Sequence, residues 1–199
     1  MEVAFGLKAH SGWAAFVAIS VERGGHRVVD RRRIELIEDR DAEWAGQPYH
    51  AAEGKPIAKA RAIVERGIAD ARRAAVKELR LAIKRTLAAG HDIVACAVLM
   101  PAPMPEWSTE EILAVHFRMH KAEGVLYPDA LARAAQACGL QLALIHEKQL
   151  AAQAEVIMKA PLSKLTKRIA ELGKTVGAPW GADQKNAALA AMIALATRS

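Results

Sequence analysis

The sequence of 199 residues predicts an α/β fold: a mixed five-stranded sheet with helices on both faces. The chain opens with three apolar, strand-like segments in immediate succession, and two further apolar strands follow, each after a helical segment. Because antiparallel neighbours need only a short turn whereas parallel neighbours need a crossover, the order βββαβαβαα indicates a meander followed by two crossover units. No linker-like segment interrupts residues 1–199, so we expect one domain.

The meander is predicted from apolar stretches joined by short glycine-containing turns, over residues 3–8, 13–21 and 26–37. The second turn is Arg23-Gly24-Gly25. In the third strand, strict alternation puts Val28 and Ile34 on one face and Val29 on the other. Charged residues fill much of the rest, which predicts a strand near a sheet edge with one largely solvated face.

The later elements follow from helical periodicity and from end signals. Residues 38–55 are polar and contain glycine and proline, which predicts a loop. Ser108 and Glu111 form a capping-box pattern that predicts a helix start. The remaining predicted elements are a long helix over 56–89, a strand buried on both faces over 92–100, a helix over 108–138 bent at Gly124 or Pro128, a strand over 140–145, a helix over 149–172 that Pro161 breaks or kinks, and a last helix over 183–197.

Composition and charge narrow the function classes. The chain is 52% hydrophobic and 25% charged, as expected of a globular protein. Its longest apolar run, residues 187–196, falls short of the about 20 residues that span a bilayer, so we expect no membrane association. Without a signal-peptide pattern, and with Cys96 and Cys138 predicted as free thiols, we expect a cytoplasmic location. The net charge of +6 permits DNA or RNA as a partner.

Two segments near the ends of the chain carry a family resemblance. The first is GLKAHSGWAAFVAI, residues 6–19. The second places Lys164, Arg168, Ile169 and Leu172 before Pro179 and the run DQKNAALA. The first resembles the opening hairpin of RuvC-type Holliday-junction resolvases of the ribonuclease H-like superfamily, with matches at Gly6, Leu7, Gly12 and Trp13. The second resembles that family's basic helix, proline turn and final Asp-x-x-Asp helix. The resemblance implies a ribonuclease H-like fold.

The resemblance also implies where a catalytic site would lie, between the first hairpin and the last helix. The family binds two divalent cations there through carboxylates, but Lys8 stands in the place of the first aspartate. Asp183 matches one family aspartate, Asn186 replaces another, and no carboxylate ends the fourth strand. Because two-metal hydrolysis needs several carboxylate oxygens, we expect this mechanism to be absent. Mg²⁺ or Mn²⁺ is expected as a cofactor only if the family site survives.

The individual residues at this site have both chemical and structural interpretations. Lys8 and Asp183 are expected to form an ion pair in place of the metal, and Asp183 also suits the N-cap of the last helix. His10, two residues after Lys8, is a candidate general base if a pocket lies beside it, and otherwise an ordinary turn histidine.

A candidate metal site lies on the predicted middle helix. His116, His120 and Glu123 follow one another at i, i+4 and i+7 and so share one face. The segment HAAEG around His50 and Glu53 echoes HKAEG around His120, which makes both residues candidate additional ligands. The alternative is that these histidines occupy a solvated helix face.

A basic stripe marks the predicted long helix and is the candidate nucleic-acid-binding surface. The helix also carries an apolar stripe at helical spacing, formed by Val64, Ile68, Ala75, Leu79 and Ile83. The basic residues lie roughly 180° from that stripe: Arg66, Arg73, Lys77, Arg80 and Lys84. Glu65, Asp70 and Glu78 lie on or beside the basic stripe, so a merely solvated helix face is the alternative. Aromatic residues make up only 5% of the chain, which argues against a base-stacking platform for single strands.

Three functional hypotheses follow. The first is a RuvC-like, degenerate nuclease domain that binds nucleic acid without two-metal cleavage. The second is a structural protein that self-associates as a homo-oligomer, with the small-residue segment NAALAAMIALA allowing close helix packing in a core or an interface. The third is an enzyme with a redesigned site around His10 and Asp183.

Overall fold

The computed structural model describes residues 1–22 and 25–198, and within them a mixed five-stranded sheet. Its strands are β1 (Glu2–His10), β2 (Trp13–Glu22), β3 (Gly25–Glu35), β4 (Asp92–Met100) and β5 (Leu142–His146), in the order β3-β2-β1-β4-β5. β1–β2 and β2–β3 pair antiparallel, whereas β1–β4 and β4–β5 pair parallel. The predicted fold class is confirmed. The predicted turn residues Arg23 and Gly24 lie outside the described residues.

Helices cover both faces of the sheet: α1 (Pro48–Ala52), α2 (Ile57–Ala88), α3 (Thr109–Leu113), α4 (His116–Ala137), α5 (Leu150–Met158), α6 (Leu162–Val176) and α7 (Ala182–Ala196), with a 3₁₀ turn at Glu147–Gln149. α1 to α4 pack on one face and α5 to α7 on the other, and each side buries its own apolar cluster. Alternating strand side chains serve both clusters, so that Phe5 faces one side and Ala4 the other. None of the described helices is long and apolar enough to cross a membrane.

The final helix, α7, packs directly on the sheet. Its residues 187–195 are all buried, next to β1, β2 and β4. Gly6 on β1 allows this close approach, because a Cβ at that position would overlap the carbonyl oxygen of Ala187. The small side chains of the segment NAALAAMIALA therefore serve core packing and not an exposed association surface.

One sequence expectation is wrong in β3, because the strand contains a β-bulge at Val29. The register shifts between Ala18 and Ile19 of β2, which leaves Val29 as the extra residue. Beyond the bulge, the side chains of β3 alternate in the opposite phase. Val28 packs in the cluster beneath α5 to α7, whereas Ile34 packs in the cluster on the other face of the sheet, and Val29 packs against that same cluster. Val28 and Ile34 therefore do not share a face. The edge position predicted for β3 is confirmed.

Two helix predictions also need correction. The polar segment 38–55, predicted as a loop, contains the short helix α1. The predicted helix over 108–138 is two helices, α3 and α4, separated at residues 114–115, and Pro128 lies inside α4 without ending it. These departures matter because α1 and the start of α4 meet beside the candidate metal site.

Other local predictions agree with the structure. The Ser108 hydroxyl accepts a hydrogen bond from the N–H of Glu111, whose carboxylate accepts from the N–H of Ser108, so the capping box is formed. The predicted break at Pro161 separates α5 from α6. Cys96 is buried and Cys138 half-buried, and both are free thiols.

Candidate functional site

The candidate site lies at the edge of the sheet where β1 and β5 end and α7 begins. β1 and β5 run toward the same edge, since each is parallel to β4. Lys8 and His10 are among the last residues of β1, and Glu147 directly follows β5. Asp183 lies in the first turn of α7. Four charged or titratable groups from three separate parts of the sequence therefore meet at one place.

The first contact at this edge is an ion pair between Nζ of Lys8 and Oε1 of Glu147. The Lys8 side chain is 15% exposed and that of Glu147 is 37% exposed, so the pair is partly shielded from water. Among the described residues Lys8 makes no ion pair with Asp183, and that prediction is wrong. The sequence analysis also missed Glu147. Its place one residue after a strand parallel to β4 could have revealed it, because the carboxyl ends of parallel strands meet at one edge.

The second contact joins His10 and Asp183, with Nε2 of the ring 2.9 Å from Oδ1 of the carboxylate. The ring N–H does not point along this line, so the contact is an ionic one for the protonated ring and not a directed hydrogen bond. The imidazole stacks on Trp13 with ring centroids 4.4 Å apart, and the Arg33 guanidinium lies 4.2 Å from the Trp13 ring centroid. His10 is therefore a packed side chain with a defined orientation.

Asp183 is not the N-cap of α7, contrary to one sequence prediction. Gly181 holds that position, and its N–H donates to Oε1 of Gln184 at 2.9 Å. In the first turn, the negative charge of Asp183 still interacts favourably with the helix dipole. Asn186, one turn further on, is exposed and makes no side-chain hydrogen bond to any described residue.

A cavity of about 290 Å³ lies beside these two contacts. Its lining includes Lys8, His10, Glu123, Tyr127 and Glu147. The cavity thus combines a cation, an imidazole and two carboxyl groups, which are the groups that acid–base chemistry uses. His10 borders a pocket, which is the condition under which the sequence suggests a general base, and that role stays a prediction.

Glu123 is the most buried carboxyl group at this place, with 5% of its side chain exposed. Its Oε1 accepts hydrogen bonds from the N–H groups of Tyr49 at 2.7 Å and His50 at 3.2 Å, both in α1. Its Oε2 has no hydrogen-bond partner among the described residues. Burial raises the pKa of the Glu123 carboxyl to about 7, although the two backbone hydrogen bonds act in the opposite direction. Burial likewise raises the pKa of Tyr127, on the next turn of α4.

The predicted metal ligands on α4 are only partly brought together. One ligand atom from each of His50, His116 and His120 lies within 4.8 Å of the others. Glu123 is not in this group: it lies behind His50, with its Oε1 3.4 Å from Nδ1 of that ring. Residues at i and i+7 share a helix face but are separated by about 10 Å along the axis, and α1 covers the turn that carries Glu123. Oε1 of Glu53 lies 3.7 Å from Nδ1 of His116.

The basic stripe of α2 contains both engaged and unpaired side chains. Arg66 lies over the Trp44 ring, 5.3 Å from its centroid. Arg73 pairs with Glu38 at 3.4 Å and also with Asp70. The other members are exposed and form no ion pair with a described residue: Lys77, Arg80 and Lys84.

Two solved structures with the same architecture are of RuvC from Thermus thermophilus. RuvC of Thermus thermophilus matches with a TM-score of 0.50, over 96% of this chain and 92% of that chain, at 11% sequence identity. The fold is that of RuvC. T. thermophilus RuvC in complex with a Holliday junction substrate matches with a TM-score of 0.48, over 97% of this chain and 92% of that chain, at 10% identity. At these identities the likeness concerns the fold alone. No protein-family model and no curated protein matches the chain.

The residues at this edge do not fit the paired divalent cations that the RuvC resemblance implies. Each nearby carboxylate already has a cationic or donor neighbour: Glu147 has Lys8, Asp183 has His10, and Glu123 has two backbone N–H groups. Mg²⁺ requires a nearly octahedral shell of oxygen ligands, which an ammonium and an imidazole do not supply.

Proposed function

We propose that this protein is a RuvC-like domain that binds nucleic acid and does not cleave it by the two-metal route. The observation that carries the proposal is the Lys8–Glu147 ion pair at the end of β1, where the family resemblance implies a metal-binding aspartate. The two helical layers share one sheet, which supports the prediction that residues 1–199 form a single domain. A cytoplasmic location stays a prediction.

Charge argues against two divalent cations beside Lys8. An ammonium group and a divalent cation 4 Å apart repel each other by about 8 kcal/mol at an effective dielectric constant of about 20. The adjacent carboxylate of Glu147 offsets much of this repulsion, but the ion pair as a whole then carries no net negative charge to attract a divalent cation. Asp183 faces His10, so the site offers a cation few uncommitted oxygens.

The proposed nucleic-acid surface is the part of the α2 stripe that has no acidic partner. Lys77, Arg80 and Lys84 lie at i, i+3 and i+7 and are exposed on one face of the helix. Such cations can replace condensed counterions along a phosphate backbone, and the released ions make binding salt-dependent. Arg66 and Arg73 are engaged with neighbouring side chains and should contribute less.

A binding titration at several salt concentrations tests this surface. A four-way DNA junction is the first probe, because the sequence resemblance is to junction resolvases. If three cations contact phosphates, they contribute about 2.7 to the slope of log K against log salt, which is roughly a 40-fold loss of affinity between 50 and 200 mM salt. The variant with Lys77→Ala, Arg80→Ala and Lys84→Ala should lose that part of the slope.

The chain offers a control of identical charge and composition on α6. Lys164, Lys167 and Arg168 are also exposed, so their triple alanine variant removes the same three charges from a different surface. Because Lys164 and Arg168 belong to the segment that resembles the family's basic helix, we expect this variant to lose some affinity, but less than the α2 variant loses. No binding even at low salt would reject the nucleic-acid proposal, and a loss confined to the α6 variant would reject α2 as the surface.

A cleavage assay tests the other half of the proposal. Branched DNA incubated with the protein and Mg²⁺ or Mn²⁺ should remain intact beyond the background without protein. Cleavage that depends on Mn²⁺ and disappears in Asp183→Ala would contradict the proposal, because it would require a working metal site at the end of β1.

A second candidate function is an enzyme with a redesigned site, favoured by the cavity of about 290 Å³ beside His10. Lys8 could hold an anionic group there while His10 transfers a proton. This hypothesis expects metal-independent turnover of a small anionic substrate that His10→Ala abolishes and His146→Ala, at an exposed histidine outside the cavity, leaves unchanged. The self-association hypothesis loses its sequence support, because the small residues of α7 lie in the core.

A further inference from the structure

We propose that His50, His116 and His120 form a binding site for one zinc-class transition-metal ion. One ligand atom from each ring lies within 4.8 Å of the other two. Nε2 of His116 and Nε2 of His120 are only 3.0 Å apart. Tetrahedral zinc with Zn–N bonds of about 2.0–2.1 Å separates its ligand nitrogens by about 3.3–3.4 Å. Two of the ligands are therefore nearly in place, and His50 needs only a small side-chain movement.

The rings are arranged for convergence and not for stacking. The His116 and His120 rings are nearly perpendicular at 88°, with centroids 4.5 Å apart. The His50 ring is inclined to them by 86° and 57°, with centroid distances of 5.5 and 4.8 Å. A cation between the three rings could accept a lone pair from one nitrogen of each.

A carboxylate lies near the Nδ1 atom of two of the three histidine rings. Nδ1 of His50 is 3.4 Å from Oε1 of Glu123, and Nδ1 of His116 is 3.7 Å from Oε1 of Glu53. A carboxylate that accepts from Nδ1–H fixes the tautomer in which Nε2 carries the lone pair, and this arrangement is common around zinc. Glu123 is 95% buried, the complement of its 5% exposure, and its Oε2 has no partner among the described residues. Its Oε1 also accepts from the N–H groups of Tyr49 and His50, which holds the carboxyl in place beside the His50 ring.

Ligand chemistry selects the class of ion. Three imidazoles favour Zn²⁺, Co²⁺ or Ni²⁺ over Mg²⁺ and Ca²⁺, which prefer oxygen ligands. His116 and His120 are exposed, so a water molecule can complete the coordination as a fourth ligand. The ion would tie α1 to the first two turns of α4, two elements that the chain connects only through α2, β4 and α3.

The experiment uses untagged protein, because a histidine tag would itself bind these metals. After removal of metal with EDTA, we expect one equivalent of Zn²⁺ to bind, measured by calorimetry and by metal analysis after dialysis. At free Zn²⁺ a hundredfold above Kd, the Tm should rise by about 5–10 °C. Co²⁺ should give the intense visible absorption of a tetrahedral site.

Single variants separate a three-histidine site from chance surface binding. His50→Ala, His116→Ala and His120→Ala should each lower Zn²⁺ affinity at least 100-fold, whereas His146→Ala, which removes an exposed histidine elsewhere, should not change it. Failure to bind a stoichiometric ion, or an unchanged Kd in any one of the three variants, would overturn the proposal. The result is independent of the nucleic-acid proposal, which rests on other residues.

Glu123 is proposed as a positioning residue, and its role needs its own variants. Glu123→Ala should weaken Zn²⁺ binding by about 10–100-fold, the usual effect of removing a partner of a metal-bound histidine. Glu123→Gln keeps an acceptor oxygen for Nδ1–H and should recover most of that affinity. Because this recovery is measured as Kd, a general loss of stability would not imitate it. Equal affinity in Glu123→Ala and the unaltered protein would exclude Glu123 from the site.

Discussion

The substitution Gly6→Ala tests the closest contact that places the candidate site, the approach of α7 to β1. A Cβ on Gly6 would lie 2.8 Å from the carbonyl carbon of Ala187 and 3.0 Å from the N of Ala191, and it would overlap the carbonyl oxygen of Ala187. Ordinary contacts of a Cβ begin at 3.4 Å, so relieving the contact with the carbonyl carbon alone takes 0.6 Å, the difference between 3.4 and 2.8 Å, and clearing the carbonyl oxygen takes more. The obstacle is backbone, which cannot rotate away as a side chain can.

The cost follows from what a rigid shift does to the rest of the helix. Residues 187–195 are all buried against the sheet, so a shift of this size opens a gap along the whole contact. A gap of 0.5–1 Å forfeits about a quarter to a half of each van der Waals well. We expect Gly6→Ala to lower the free energy of unfolding by about 3 kcal/mol, the upper end of the usual range for overpacked cores. That is a large part of a typical total of about 5–15 kcal/mol.

Urea denaturation followed by circular dichroism measures the effect. With an m-value of about 2 kcal/mol/M, the midpoint should fall by about 1.5 M. The matched control is Gly124→Ala at an exposed position of α4, where a Cβ would meet nothing within 4 Å, and it should raise stability by about 0.5–1 kcal/mol. Ala187→Gly should not rescue Gly6→Ala, because the overlap is with the carbonyl group. A midpoint unchanged in Gly6→Ala would refute the close approach of α7 to β1.

Three further predictions concern local interactions. Lys8→Met removes the partner of Glu147 and should cost roughly 1 kcal/mol in urea denaturation, with a smaller loss at high salt, and an equal loss at all salt concentrations would contradict an ionic origin. Ser108→Ala removes the side-chain acceptor for the N–H of Glu111 and should cost about 1 kcal/mol, whereas no change would mean that the cap does not hold α3. Burial, assisted by a nearby arginine, lowers the pKa of His26 from 6.5, so its contribution to stability is complete above pH 6.5. As the pH falls below 6.5, the unfolded chain binds a proton on His26 before the folded protein does, so the folded protein loses stability. A His26→Gln variant should lose less stability over the same range. Thermal melts of both proteins at pH 7.5 and 5.5 measure the difference.

Much of the fold can be read from the sequence, because its signals are local. The capping box at Ser108 involves residues three apart, and the apolar stripe of α2 repeats within single helical turns. The run over residues 93–100 is apolar throughout, as a strand covered by helices on both faces requires, and β4 occupies such a position. Order and type of these elements limit the topology to a few arrangements, of which the RuvC fold is one.

The sequence predicts the candidate site only in outline. Its resemblance to the RuvC-type family places Lys8, His10 and Asp183 at one edge, between the first hairpin and the last helix. It does not predict that Lys8 pairs with Glu147, because the choice depends on which side chain the end of β5 brings within reach. In the histidine cluster, His50 and not Glu123 joins His116 and His120. The sequence does not predict this, because His50 lies in α1, and the segment that forms α1 has no strong periodicity.

Periodicity and end signals in the sequence thus determine which segments become strands and helices, and the tertiary structure determines which of their side chains meet. The bulge at Val29 shows the difference between the two. Alternation alone puts Val28 and Ile34 on one face, but β3 has one extra residue where it pairs with β2, so the two side chains lie on opposite faces of the sheet. The physical reason is the distance along the chain over which each kind of interaction acts. Local conformational preferences act over a few residues, whereas ion pairs, burial and register are set by groups that become neighbours only after the chain has folded.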